Sequence, residues 1–140
     1  MVQIKNLQNL KRINQAKLRK IIGRIVHYLG LKRASFSLVF CDNQFIKRLN
    51  RKYFKKSSPT DVISFPLKDK FNSQFLGEVV ISVEEALRNA QLYRTSFNYE
   101  ITLYIIHGLL HLLGYKDYPE REKKKMENKE KELLKRVEII

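Results

Sequence analysis

The sequence predicts a single α/β domain of the α+β type, in which a mixed sheet of about four strands is packed with about five helices. With 140 residues, the chain is long enough to bury a substantial core. Its apolar residues, 44% of the total, alternate between the two-residue period of strands and the 3.6-residue period of helices. Residues 99–113 are apolar almost all round, which predicts a helix buried at the centre of the fold.

The N-terminal part of the chain predicts a strand, a helix and a second strand. Residues 2–10 alternate loosely between apolar and polar side chains, as in an edge strand. Asn14 is a suitable N-cap for the amphipathic helix that follows, and Gly30 is placed to end it. Residues 35–40 place Phe36 and every second residue after it on one face, which predicts a strand.

The second predicted helix is the most basic segment of the chain. Asp42 or Asn43 can cap it, and its apolar stripe runs from Phe45 to Tyr53. Its cations, with those just after it, are Lys47, Arg48, Arg51, Lys52, Lys55 and Lys56. This pattern fits both a solvated cationic helix and a surface that contacts phosphate groups.

Two further strands are predicted in the middle of the chain. Residues 57–59 form a loop, and residues 60–66 form a short strand whose pairing Pro66 ends. Thr60, Asp61 and Ser64 are polar residues in this strand, so they either line a cleft or make hydrogen bonds at the strand end. A polar loop over residues 67–74 leads to a buried, β-branched strand over residues 77–82.

Three helices are predicted in the C-terminal half. Ser82 and Glu85 form a capping box that opens a helix reaching Tyr93. Asn98 is expected to cap the buried helix over residues 99–113. Residues 119–140 form a terminal helix with a charged outer face and with proline in its first turn.

Composition narrows the class of protein. Lysine and arginine number 28 against 14 acidic residues, and this net charge of +14 favours a polyanionic partner such as RNA. Cys41 is the single cysteine, which excludes an internal disulfide and a cysteine-rich zinc ribbon and fits the reducing cytoplasm. The longest apolar run, residues 101–113, is too short to span a bilayer, so no membrane association is expected. The sequence makes no prediction of oligomeric state.

Two histidines inside the buried helix predict a metal site. His107 and His111 lie four residues apart and therefore share one helix face. Gly114 ends the helix, and Asp117 follows where the returning chain can bring a third ligand. Glu100 lies on the same stripe within about 40° of the histidines. Three ligands leave an open coordination position, which is the catalytic arrangement of zinc.

The spacing of these residues matches the H-E-x-x-H-x-x-G-x-x-H frame of metzincin proteases, with two substitutions. Gly108 replaces the glutamate that serves as the general base, and Asp117 replaces the third histidine. The missing base and the basic charge disfavour a protease-like hydrolase. They favour a metal that acts on a phosphate group.

These segments together resemble the YbeY family. The segments that carry the resemblance are His107-Gly-Leu-Leu-His111-Leu-Leu-Gly114-Tyr115, Leu49-Asn50-Arg51, Pro59-Thr-Asp-Val-Ile-Ser-Phe-Pro66 and Gly77-Glu-Val-Val-Ile-Ser82. The resemblance as a whole covers nearly the whole chain, from the first strand to Met126. The resemblance implies a zincin-like fold, one Zn²⁺ ion and a single-strand-specific endoribonuclease. It also implies a role in 16S rRNA 3′-end processing and ribosome quality control, with the ribosome or small-subunit proteins as partners.

The chain departs from the family pattern at two positions. Asp117 stands where the family usually has a ligand histidine, and Phe54 stands where it commonly has an arginine. We therefore expect His107, His111 and Asp117 to hold Zn²⁺, with Lys55 or Lys56 supplying the catalytic cation.

Further roles are expected for residues around this centre. Glu100 would orient a ligand from the second coordination sphere. The residues expected to bind RNA are Arg51, Lys52, Lys55, Lys56, Thr60, Asp61 and Ser64. The alternative is a non-catalytic ribosome-assembly factor in which the metal is structural and the basic helix binds RNA.

Overall fold

The computed structural model describes residues 1–67 and 71–137, and within them it contains the predicted four strands and five helices. The strands are β1 (Val2–Asn6), β2 (Ser35–Cys41), β3 (Val62–Pro66) and β4 (Phe75–Ser82). The helices are α1 (Gln15–Tyr28), α2 (Asn43–Phe54), α3 (Val83–Tyr93), α4 (Phe97–Leu112) and α5 (Glu120–Arg136). Part of the loop predicted over residues 67–74, and the last three residues of the predicted terminal helix, lie outside the described residues.

The four strands form one mixed sheet, as predicted, and their order in it is β1-β2-β4-β3. β1, β2 and β4 are parallel, and β3 runs antiparallel to β4. β1 is an edge strand, as expected. β3 forms the other edge of the sheet. Thr60 and Asp61, which immediately precede β3, therefore lie at this edge and not in the middle of the sheet.

Alternation along the strands divides the apolar side chains between the two faces of the sheet. Phe36, Leu38 and Phe40 belong to the larger cluster, which also contains the buried side chains of α1, α3, α4 and α5. Val39 and Cys41 belong to a smaller cluster with residues of α2. Most helices therefore cover one face of the sheet, while α2 covers the other.

The helix starts follow local capping chemistry, with one correction. The N-cap side chain of Asn14 accepts a hydrogen bond for α1, as that of Asp42 does for α2. The predicted cap of the buried helix is wrong: Ser96, not Asn98, accepts from the Tyr99 N–H, and α4 begins at Phe97. A serine one residue before the first turn satisfies this N–H group, which leaves Asn98 inside the helix.

The capping box predicted at α3 is formed in one direction. The Ser82 hydroxyl accepts from the Glu85 N–H, as expected. The Ser82 N–H donates to the carbonyl of Asp61 at 2.9 Å, so it is not available to the Glu85 side chain. Glu85 instead contacts Arg88 and Asn43. This exchange links the end of β4 to the residue that precedes β3.

α4 is the central helix, since nine of its sixteen residues are buried. It packs against β3 and β4 on one side and against α3 and α5 on others. In the part of the chain that the structure describes, no helix is both long and apolar enough to cross a membrane.

Candidate metal centre

The two histidines of α4 point at one another across a single turn, as their spacing predicts. Their Nε2 atoms lie 3.1 Å apart, and the rings meet edge-on with centroids 4.7 Å apart. The Oδ2 atom of Asp117 lies 3.4 Å from the Nε2 atom of His111. One ligand atom from each of these three residues lies within 4.8 Å of the others. The structure therefore brings together all three predicted ligands.

The turn that ends α4 also orients His111. Gly114 has a φ of +100°, a backbone conformation that favours glycine. Its N–H donates to the carbonyl of His111, and the Tyr115 N–H donates to that of Leu110, which is the Schellman pattern. The Tyr115 carbonyl then accepts from the Nδ1 atom of His111 at 3.0 Å. The same turn thus ends α4 and fixes the orientation of the His111 imidazole. It also leads the chain to Asp117.

His107 is oriented by Glu130, a residue of α5 that the sequence analysis did not single out. The Oε2 atom of Glu130 lies 2.7 Å from the Nδ1 atom of His107, and the carboxylate is only 12% exposed. A signal was present in the sequence, since Glu130 lies four residues after buried Met126 and three before buried Leu133. An acidic residue on the buried stripe of a charged helix indicates a partner inside the fold.

Glu130 also controls the protonation of His107. Burial alone lowers the pKa of this imidazole, but the hydrogen bond and negative charge of Glu130, with the charges of Asp61 and Asp117, raise it overall above its ordinary value. The carboxylate can only accept a hydrogen bond, which places a proton on Nδ1 of His107. The same reasoning applies to His111 and the Tyr115 carbonyl. Both Nε2 atoms are thereby left as the metal-binding atoms.

Glu100, predicted to orient a ligand, has other partners. One of its oxygens accepts from the Thr95 hydroxyl at 2.6 Å, and the other accepts from the Tyr104 hydroxyl at 3.3 Å. Tyr104 in turn accepts from Asn89. Both carboxylate oxygens of Glu100 are thus engaged near the start of α4, and Tyr104 connects this group to Asn89 of α3, so a role of Glu100 in orienting a ligand stays a prediction.

Gly108 is required by packing against the sheet. A Cβ atom at this position would collide with the Cγ1 atom of Val79 in β4 and approach the Ser64 hydroxyl oxygen to 3.3 Å. The Ser64 hydroxyl also donates to the Gly108 carbonyl at 2.9 Å, which ties β3 to α4. A glutamate at this position would require the side chain of Val79 to move out of the core. The protease base is thus absent for a structural reason.

The donor set fits a tetrahedral metal ion such as Zn²⁺. Ligands bound at 2.0–2.1 Å in a tetrahedron lie about 3.3–3.4 Å from one another. The Nε2–Nε2 distance of 3.1 Å and the His111–Asp117 distance of 3.4 Å are close to this value. Two Nε2 atoms this close, each with its Nδ1 committed elsewhere, also need a proton or a cation between them.

The metal centre lies at the bottom of a cleft of about 570 Å³ between α4, β3 and the residues that follow α2. Of the residues predicted to bind RNA, Lys56, Thr60, Asp61 and Ser64 line this cleft. Arg51, Lys52 and Lys55 lie outside its lining. Of the two lysines expected to supply the cation, Lys56 therefore lines the cleft and Lys55 does not. Phe54 lines the cleft as well.

The polar residues Thr60 and Asp61, which precede β3, and Ser64 within it make hydrogen bonds and also line the cleft, so both alternatives left open by the sequence apply. The Oδ1 atom of Asp61 accepts from the Val62 N–H at 2.8 Å and from the Thr60 hydroxyl at 3.4 Å. Across the cleft, the side chain of Asn50 donates to the Ser58 carbonyl at 2.8 Å. These bonds fix the walls of the cleft around the metal-binding residues.

Comparison with known proteins gives the family. The model of the family described as endoribonuclease YbeY matches residues 3–138. The chain belongs to the endoribonuclease YbeY family. A relative from Carboxydothermus hydrogenoformans, named endoribonuclease YbeY, is 40% identical over 96% of this chain and 95% of its own length. Another of the same name, from Geobacter metallireducens, is 36% identical over 95% of this chain and 93% of its own.

The fold is shared with a solved structure. The solution structure of TM1509 from Thermotoga maritima superposes with a TM-score of 0.68 and covers 98% of this chain and 89% of its own. The two sequences are 24% identical, so the likeness concerns the fold. Membership of the YbeY family confirms the predicted hydrolase, an endoribonuclease whose substrate is RNA.

Proposed function

We propose that this YbeY protein cleaves single-stranded RNA at a Zn²⁺ centre held by His107, His111 and Asp117. The observation that carries the proposal is the convergence of their three ligand atoms, with both imidazoles fixed through Nδ1 by Glu130 and Tyr115. The position of this centre inside a basic protein, at the base of an open cleft, supports a phosphodiester as the substrate.

A bound Zn²⁺ ion supplies Lewis-acid activation of the phosphodiester. The side chain of Lys56, which lines the same cleft, places a positive charge where negative charge develops on the phosphate. Arg51, Lys52 and Lys55 are proposed to contact the RNA backbone farther from the reacting group. Thr60 and Ser64 form part of the cleft wall that faces the RNA strand.

Asp61 is the residue we propose as the proton acceptor. It is a carboxylate of the cleft that does not belong to the group of three metal-binding residues. Its Oδ1 atom is held by the Val62 N–H, which fixes the direction of the carboxylate. A fixed carboxylate beside the metal centre can take the proton of an attacking water or of an RNA 2′-hydroxyl.

The wider role proposed here rests on the family resemblance. Residues 1–140 act as one zincin-like metallohydrolase domain in the cytoplasm. The substrate is rRNA, with processing of the 16S rRNA 3′ end and ribosome quality control as the setting. The ribosome or small-subunit proteins deliver the substrate, and the net charge of +14 supports association with such a polyanionic particle.

The test compares two histidine substitutions. His111→Ala should abolish cleavage of single-stranded rRNA, whereas His27→Ala, at an exposed histidine of α1, should leave it unchanged. A chelator should stop the reaction of the parent protein, and added Zn²⁺ should restore it. Intact RNA at high excess of the metal-loaded protein would contradict the catalytic proposal and favour a binding factor with a structural metal. Equal activity of the two variants would contradict the site.

A further inference from the structure

The last two residues of α2 are aromatic and exposed. Tyr53 is 54% exposed and Phe54 is 49% exposed. Both meet Phe65 of β3: the Tyr53 and Phe65 rings contact edge-on with centroids 5.1 Å apart, and the Phe54 and Phe65 rings stack at 6.3 Å with planes inclined by 25°. We call these three residues the aromatic shelf. Clustered aromatic surface that the core leaves half exposed is typical of a binding surface.

The aromatic shelf connects two depressions of the surface. Phe54 lines the cleft that contains the metal centre. Tyr53 and Phe65 line a second, more apolar groove of about 320 Å³ that also contains Phe45 and Leu49. A ligand that extends out of the cleft past Phe54 therefore reaches this groove over a continuous aromatic surface.

The charge of the segment that carries Tyr53 and Phe54 indicates the class of ligand, while the groove beside Phe65 contains one acidic residue, Glu78 of β4. Residues 43–59 contain six lysines and arginines and no acidic residue. The Nζ atom of Lys52 lies 5.2 Å from the centroid of the Tyr53 ring, so a cation accompanies the exposed aromatic face. Aromatic rings beside a row of cations are the combination that binds single-stranded nucleic acid, because the rings stack on bases while the cations meet phosphates.

We propose that the aromatic shelf stacks unpaired bases of the RNA strand that enters the metal-centre cleft. This inference rests on the proposed function, and it adds a base-binding subsite built from Tyr53, Phe54 and Phe65. Stacking tolerates any base, so the shelf selects unpaired strands over duplexes and does not select a sequence. It also sets the register of the strand at the metal centre, since a base held on Phe54 fixes the phosphate beside it.

The experiment distinguishes binding to the RNA bases from binding to the phosphate backbone of the RNA. The protein as purified is titrated with a labelled 2′-O-methyl oligoadenylate of about twelve nucleotides and with the matching abasic oligomer, which carries the same phosphates. The parent protein should bind the base-containing oligomer about tenfold more tightly, corresponding to about 1.4 kcal/mol. Phe54→Ala should remove most of this preference and leave affinity for the abasic oligomer unchanged. Phe54→Trp should retain it.

Two controls exclude an effect on folding. Phe54→Leu keeps an apolar side chain at the site but lacks the ring, so it should lose the preference while unfolding at the temperature of the parent protein. Tyr93→Ala should change nothing, because Tyr93 is likewise the exposed last residue of a helix, followed like Phe54 by a residue with positive φ.

Equal affinity of the parent protein for the two oligomers would overturn the proposal that the aromatic shelf stacks bases. An undiminished preference of Phe54→Ala and Tyr53→Ala for the base-containing oligomer would overturn it as well. Cleavage that requires His111 would then still support the proposed function and would leave these rings to another ligand, such as a protein. Absence of both RNA binding and cleavage would overturn the two proposals together.

Discussion

Replacing Glu130 by glutamine tests whether α5 holds the metal centre together. The substitution keeps the size of the side chain but removes the charge that meets the Nδ1 atom of His107 at 2.7 Å. Loss of a partner that orients a metal-binding histidine typically weakens metal affinity about 10- to 100-fold. This change corresponds to about 1.4–2.7 kcal/mol of binding free energy.

The loss should be visible in two measurements. Competition with a chromophoric chelator should give a Zn²⁺ dissociation constant raised by that factor. At a fixed saturating zinc concentration, the stabilisation that zinc adds to the free energy of unfolding falls by the same amount, about 1.4–2.7 kcal/mol, or about 5–9 °C in melting temperature for a chain of this size. Glu132→Gln is the control, because Glu132 lies on the same helix but is exposed and pairs with Lys129 and Arg136 instead of with a histidine.

In the metal-free protein, the loss of stability caused by Glu130→Gln should depend on pH. The folded state raises the pKa of His107 above its ordinary 6.5, so the folded protein holds this proton more tightly than the unfolded chain. The resulting stabilisation is fully present below about pH 6.5 and is lost as the pH rises through the higher pKa of the folded state. Glu130→Gln should therefore destabilise the metal-free protein more at about pH 5.5 than at about pH 9. Unchanged zinc affinity together with a pH-independent effect would refute this role of Glu130.

Three further substitutions test neighbouring parts of the site. Asp117→Asn should weaken Zn²⁺ binding at least about tenfold in the chelator competition, since it removes the anionic ligand, and Asp117→His should restore it. Asp61→Asn keeps an oxygen that accepts from the Val62 N–H but removes the proposed base. We expect kcat to fall about 10²- to 10⁴-fold while the zinc affinity stays unchanged. An undiminished kcat would exclude Asp61 as the proton acceptor. Gly108→Ala should cost about 1–3 kcal/mol in urea unfolding through overpacking against Val79, whereas Gly23→Ala, with open space around it, should stabilise α1 by about 1 kcal/mol.

Features that depend on nearby residues could be predicted from the sequence. Helical periodicity placed His107 and His111 on one face, and Gly114 marked the turn that returns Asp117 to them. The same local rules gave the strands and most of the caps. The one capping error, Asn98 in place of Ser96, is a shift of two residues between two side chains that both make good N-caps.

The partners of buried polar groups depended on the tertiary structure. Glu100 and Glu130 are both acidic residues on helices, and the helical stripe that Glu100 shares with His107 and His111 favoured the first as a partner of the histidines. In the structure, Thr95 and Tyr104 satisfy Glu100, while α5 brings Glu130 to His107 across 23 positions of sequence. The buried stripe of α5 indicates that Glu130 has a partner inside the fold, but only the assembled core reveals that this partner is His107.

The site thus has two origins. The ligand frame is set by the sequence, because the pitch of a helix and the turn at a glycine are local properties of the chain. The cleft around it is set by tertiary structure, which brings Lys56 and Asp61 into the same cleft lining as the three ligand residues, leaves Arg51, Lys52 and Lys55 outside that lining, and requires glycine at position 108. The physical reason is that side-chain reach and close packing depend on where neighbouring elements lie in space.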